Sequence, residues 1–149
     1  MILDLQDAIM TRFNSTDGAT LRGLVQGLWE DLAPASVISD SQKGEELRNS
    51  VLPWMTFTFV TTGLEQSFCS NFFIPIVQFS IFGDADNNTS RPLLEVGDAF
   101  LDLYGDQLLT MDNGYTMTRS DTVDQRKFID ENKMWNVIYE IQYHVETDR

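Results

Sequence analysis

Residues Phe72 to Leu109 read FFIPIVQFSIF, then GDADNNTSRP, then LLEVGDAFLDLYGDQLL, and the change of period inside this stretch decides the fold. In the first piece Phe73, Pro75, Val77, Phe79 and Ile81 recur at every second residue. The alternate set, Phe72, Ile74, Ile76, Gln78, Ser80 and Phe82, turns polar only toward its end. Period two carried by aromatic and β-branched residues is a strand pattern. The last piece places Leu93, Val96, Phe100, Leu103 and Tyr104 three and four residues apart, and Leu108 continues that face. Asp98, Asp102 and Asp106 fall outside the stripe. This predicts an amphipathic helix of about five turns. Thr89 and Ser90 can cap it, and Pro92 stands in the first turn, where a missing N–H costs little. A long strand thus stops, turns, and lays a long helix back across its own sheet.

The flanking sequence supplies the rest of that sheet and more helix. Leu5, Ala8, Ile9 and Phe13 share one helical face within Leu3–Phe13, with Asp4 as a candidate cap. The run Asn14–Gly18 ends that helix, and Ala19–Val25 suits a short second one. Gly27–Leu32 reads as a short edge strand, and Val37–Ser50 as a polar loop. Met55, Phe57 and Phe59 alternate with Trp54, Thr56 and Thr58, so Pro53–Thr62 is a strand. With Gly63–Asn71 as a broad tip, it forms a long hairpin with the central strand. Asn113-Gly114 signals a second hairpin, pairing Leu108–Met111 with Tyr115–Arg119. Ser120–Lys133 reads as charged and turn-like, anchored by Val123, Phe128 and Ile129. The closing strand sets Trp135, Val137, Tyr139, Ile141, Tyr143 and Val145 against a mostly polar alternate face. The sum is an α+β chain: a two-layer sandwich, with a mostly antiparallel β-sheet and helices packed on one face.

At 149 residues the chain reads as one domain, 1–149, able to bury one core. With 42 % apolar and 22 % charged residues it is composed like a folded globular protein. The balance of 23 acids to 10 bases gives −13, the wrong sign for a protein that holds phosphates by counterion release. The plain reading is a soluble, self-repelling surface; the sharper alternative is a surface that must not stick to DNA passing nearby. A single cysteine, Cys69, excludes an internal disulfide framework and fits a reducing compartment. The N-terminal MILDLQDAIM lacks the basic region of a secretory signal, and no apolar run reaches membrane-spanning length.

The search for reactive groups returns no catalytic, metal or cofactor residues. Asp84, Asp86, Asn88 and Glu95 stand at positions one, three, five and twelve of a calcium-type loop. Position six, however, is Thr89 where the sharp turn wants glycine, and the context is strand-to-helix. The plain reading is a solvated turn feeding a helix cap. His144, the only histidine, falls on the polar face of the closing strand with no partner motif around it. Cys69 has no basic cluster beside it to activate a thiolate. Adjacent acids such as Glu45-Glu46 arise from composition alone, and neither a phosphate loop nor a dinucleotide fingerprint is present. The features left to explain are apolar residues at the hairpin tip. Leu64, Phe68 and Phe72 are the candidate subunit or partner interface, against the alternative that the tip folds over the sheet edge and buries them.

Taken whole, the pattern resembles the tail-terminator and tail-completion (head–tail joining) proteins of long-tailed bacteriophages. The residues that carry the resemblance are LDLQDAIMTRF, LPWMTFTFV, FFIPIVQFSIFGDADNNTSRPLLEVGDAFLDLY and MWNVIYEIQYHVE, in that order. The long Val37–Ser50 interval departs from the family pattern. The resemblance implies a structural virion protein, assembled in the host cytoplasm, with no catalytic residue to carry over. It implies a homo-oligomeric ring, typically a hexamer, that ends the tail tube, meets the neck or connector protein, and lets DNA through without specific binding. Alternatives are another head–tail adaptor or head-completion protein, and, further off, an enzyme or small-ligand protein on an α+β sandwich.

Overall fold

The computed structural model describes residues 2–34, 53–61, 64–66, 71–73, 75–84, 91–105, 109–110, 116–129 and 134–147. Helix α1 spans Ile2–Asn14 and buries Leu5, Ala8, Ile9 and Phe13, the stripe expected from their spacing. It starts two residues before Asp4, so Asp4 lies in its first turn and is not its cap. A single 3₁₀ turn, Thr16–Gly18, leads into α2, Ala19–Leu24, which buries Leu21. The end of α1 is closed from outside the helix. Arg22 Nη1 donates to the carbonyls of Phe13 and Ser15, both at 2.6 Å, and Ser15 Oγ donates to Arg12 O at 2.6 Å. Carbonyls that the helix cannot pair internally are thereby satisfied.

Eight strands form one sheet: β1 (Leu28–Glu30), β2 (Trp54–Thr61), β3 (Leu64–Gln66), β4 (Asn71–Phe73), β5 (Ile76–Asp84), β6 (Leu109–Thr110), β7 (Thr116–Ile129) and β8 (Met134–Thr147). Across the sheet the order runs β1, β2, β5, β8, β7, with β6 beside the start of β7. Strand β4 pairs with the last residues of β8, and β3 lies outside β4. Among the described residues, only the β1–β2 pair is parallel. The mostly antiparallel α+β architecture therefore agrees with the alternation in the sequence.

The third helix, α3, occupies Arg91–Phe100 and widens into one π-type turn at Leu101–Gly105. Its stripe of Leu93, Val96, Phe100, Leu103 and Tyr104 is buried as expected. At 15 residues the helical run is nearer four turns than five, and Leu109 has already passed into β6. Beneath α1 and α3, the odd-numbered positions of the three central strands make the core: Met55 and Phe57, Val77 to Ile81, and Val137 to Tyr143. Phe79 is its centre, with ring centroids 4.8 Å from Phe100, 5.2 Å from Tyr104 and 6.1 Å from Phe57. Register places Phe79 opposite both Phe57 and Tyr139, so three aromatic residues cross the sheet in one row under the helices.

Four expectations need correction. The central strand is not continuous: it is divided at Pro75 into β4 and β5, which pair end to end along the same edge of β8. Pro75 has no N–H for a ladder, and its carbonyl instead accepts the Tyr143 N–H at 2.9 Å. The connector from Gly63 to Asn71 carries strand β3 and the first residue of β4, so it is part of the sheet and not only a loop. The stretch from Ser120 onward is not turn-like either: β7 runs through it to Ile129, with a register irregularity between Arg119 and Val123. Phe128 and Ile129, expected as buried anchors, are exposed. Finally, the face turned away from α1 and α3 is less wet than alternation suggests. Trp54 stacks on Phe82 at 5.3 Å, Ala33 and Met134 are buried beside them, and Thr56, Ser80 and Asn136 are buried too. The intervals at 37–50 and at Asn113-Gly114 lie outside the described residues.

Candidate functional site

The expected interface residues separate once placed in the sheet. Leu64 opens β3 and stands opposite Phe73; Phe72, in β4, stands opposite Glu65 on one side and Glu146 on the other. The two occupy neighbouring rungs of a small antiparallel hairpin at the end of β8. Phe68 lies outside the described residues, as does Cys69.

The groups that could have carried chemistry are dispersed. Asp84 ends β5, Glu95 is exposed on α3 within 3.6 Å of Arg91, and the calcium-type positions between them lie outside the described residues. Among the described residues, no cluster of three or more histidine, cysteine, aspartate or glutamate side chains could hold a metal. His144 is half-buried in β8 opposite Thr118. Among the described residues, the two titratable groups with displaced acidities are core tyrosines. Burial pushes the Tyr104 hydroxyl up, reinforced by Tyr143 and opposed by Arg12; burial and then Asp98 push Tyr139 up. Both are shifted away from neutrality, the wrong direction for a general base at physiological pH. Tyr104 instead ties two helices together, donating to Ile9 O at 2.8 Å.

Among the described residues, basic side chains are likewise occupied in structure. Arg12 donates to Leu103 O at 3.1 Å and meets Asp17 at 3.2 Å, and Arg22 closes α1. Arg126 meets Glu140 at 2.9 Å, and the Lys127 ammonium lies 5.2 Å from the centre of the Trp135 ring. These contacts do not assemble a stripe along which a phosphate backbone could run.

The sheet edges are the distinctive surface. At one side, β1 is three residues long and ends in a tight turn: Leu32 N–H donates to Glu30 O at 2.7 Å, and Asp31 has φ 62°. Thr58 holds the Asp31 carboxylate at 2.7 Å, and Gln6 donates to the Glu30 carboxylate. At the other side, Gln125, Arg126, Lys127, Phe128 and Ile129 are all exposed, although Tyr139 and Val137, the β8 partners of Gln125 and Lys127, are buried. The reading of the sequence missed this edge. A signal was present: Arg126-Lys127 is the one place where two bases adjoin, and two hydrophobes follow immediately.

No family model and no curated protein sequence matches this chain. Among solved structures, the chain is similar to one chain of the virion of a native gene transfer agent (GTA) particle. The TM-score is 0.60, and the match covers 96 % of this chain and 95 % of that one. The fold is one used in a virion. At 13 % identity the likeness concerns the path of the chain and not its side chains. With nearly the full length of both chains covered, the architecture is shared as a unit and not as one common motif.

Proposed function

We propose that this chain is a structural virion protein that forms a ring at the head-proximal end of a phage-type tail tube. It ends the tail there and joins it to the neck, and DNA passes through the lumen. The observation that carries this reading is the end-to-end likeness to a chain of a gene transfer agent virion. Two physical features support it. The sequence is strongly acidic at −13, so a ring of such chains concentrates negative charge around the passage. Phosphates are repelled from such a wall, and the duplex slides, whereas a basic wall would hold it by releasing counterions. The displaced acidities belong to core tyrosines and not to a reactive cleft.

The deciding experiment is to image particles in which this chain bears a small density label, together with native mass of the purified chain. The expected result is a closed oligomer in solution and label at the junction of tail tube and neck. Label within the head vertex above the neck would favour a head-completion role. A chain that stays monomeric at high concentration would overturn the ring.

A further inference from the structure

Two edges of the sheet, at β1 and at β7, are dissimilar, and each offers what the other lacks. The β7 edge presents Arg126 and Lys127, then Phe128 and Ile129, which are 45 % and 51 % exposed. Beyond the two β6 residues at its start, β7 has no further strand neighbour on that side among the described residues. Long edges with exposed hydrophobes are places where chains associate. The β1 edge presents Glu30 and Asp31, both exposed, followed by Leu32 at 72 % exposure, the largest value among the exposed large hydrophobic residues described. Val60 and Leu94 are also exposed, but singly, which is ordinary for a protein surface.

Resting on the ring reading above, we infer that the basic–apolar edge of β7 docks against the acidic–apolar corner after β1 in a second copy of this chain. The partner is assigned by charge and by exclusion of symmetric pairings. Two β7 edges paired about an axis at the exposed Gln125–Ile129 run would set Arg126 and Lys127 against their own copies, and two β1 corners would oppose Glu30 and Asp31. Only the unlike pairing joins opposite charges and covers the apolar residues on both sides. It is a head-to-tail contact, the kind that generates a ring when its rotation closes. The joint is made by side chains and does not extend the hydrogen-bonded sheet. Strand β1 has three residues, and its last carbonyl is already taken by Leu32 N–H, so it cannot template a long partner strand.

Single-cysteine variants test the pairing, made with Cys69→Ser so that the native thiol does not react. Leu32→Cys and Phe128→Cys proteins are mixed and oxidised, and native mass of each uncrosslinked variant is recorded first. The expected result is a covalent dimer containing one of each variant, and a ladder when both substitutions are on one chain. Neither variant alone cross-links. If native mass shows closed oligomers but the mixture does not cross-link, the inference falls and the ring reading stands. If Phe128→Cys alone gives dimers, the edge is symmetric and the inference also falls. If the chain is monomeric throughout, both fall. As a second measure, Lys127→Glu should weaken association at least about tenfold, and adding Glu30→Lys to the same chain should restore it. A circular-dichroism melt unchanged by these substitutions separates lost docking from lost folding; a charge reversal without rescue counts against the pairing.

Discussion

Phe79 has aromatic neighbours in the strand beside it and in the helix above it, so its removal cannot be absorbed by a small shift of one element. Phe79→Ala should cost about 3–5 kcal/mol of unfolding free energy, read as a displaced denaturant midpoint at unchanged slope. Gly97 tests the packing from the opposite direction. A methyl group there would run into the Tyr139 hydroxyl, which passes directly beneath α3. Alanine is ordinarily the better helix former by about 1 kcal/mol, so the sign of Gly97→Ala reports whether steric conflict wins. We expect a net loss of about 1–3 kcal/mol, largely recovered when Tyr139→Phe removes the hydroxyl. The tyrosines also set an alkaline limit. Their folded acidities are raised by burial, so the native state keeps protons that the unfolded chain would release. Their contribution is complete below the ordinary tyrosine value near 10 and is lost as pH climbs above it. A urea midpoint followed from pH 8 to 11 should fall above about pH 10, and less steeply in Tyr104→Phe. A midpoint that rose across that range would contradict the assignment.

At the scale of elements, α1 is finished by a residue from the next helix, and this closure is testable by itself. Arg22→Ala removes two donors from carbonyls at the end of α1 and should cost about 1–3 kcal/mol. Arg22→Lys, with a point charge in place of a fork, should recover part of it in the same thermal melt. The elements legible in the sequence were those whose core-facing positions recur at a regular period. In α1, α3, β2, β5 and β8 the apolar period picks out the side that meets the core, even where the other side of the sheet is partly covered as well. Strand β7 was legible only at its start, where Thr116 and Met117 pair with β6 as expected, and beyond Ser120 it was illegible for a different reason. From Gln125 to Ile129 both faces are exposed, so no alternation is imposed on the residues, and the run looks like a charged turn. Strand β3, at three residues, is shorter than any period can reveal, whereas Phe72 and Phe73 of β4 read as strand but joined to β5. The division at Pro75 was foreseeable from its missing N–H, yet the proline stood in phase with the apolar set and read as one of its members. The candidate surface was obscured by the same physics. Hydrophobes in a sequence suggest a core by default, and nothing in Phe128-Ile129 states that the strand carrying them lies at an edge.

At the scale of the whole molecule, the acidic excess makes a prediction that separates a conduit from a clamp. Proteins that hold duplex DNA without reading it do so with lysine and arginine, typically with dissociation constants of about 10⁻⁴ to 10⁻⁶ M at physiological salt. Here Arg12 and Arg22 are engaged at the end of α1, Arg126 is paired with Glu140, and the net charge is −13. The assembled protein should therefore show no retention of a labelled duplex at about 0.15 M salt, where charges farther apart than about 8 Å are largely screened. Lowering the salt lengthens the range of the repulsion and should push any residual binding further down, the reverse of the usual dependence for DNA-binding proteins. Fluorescence anisotropy of the duplex, measured across a salt series with the oligomer in excess, reads both effects. Binding tighter than about 10⁻⁵ M that strengthened as salt was removed would mean that a basic surface faces the duplex, and the ring would then be a clamp. A flat response at every salt concentration is what a wall that DNA must slide past requires, because any counterion released on contact would have to be recovered at each step of the passage.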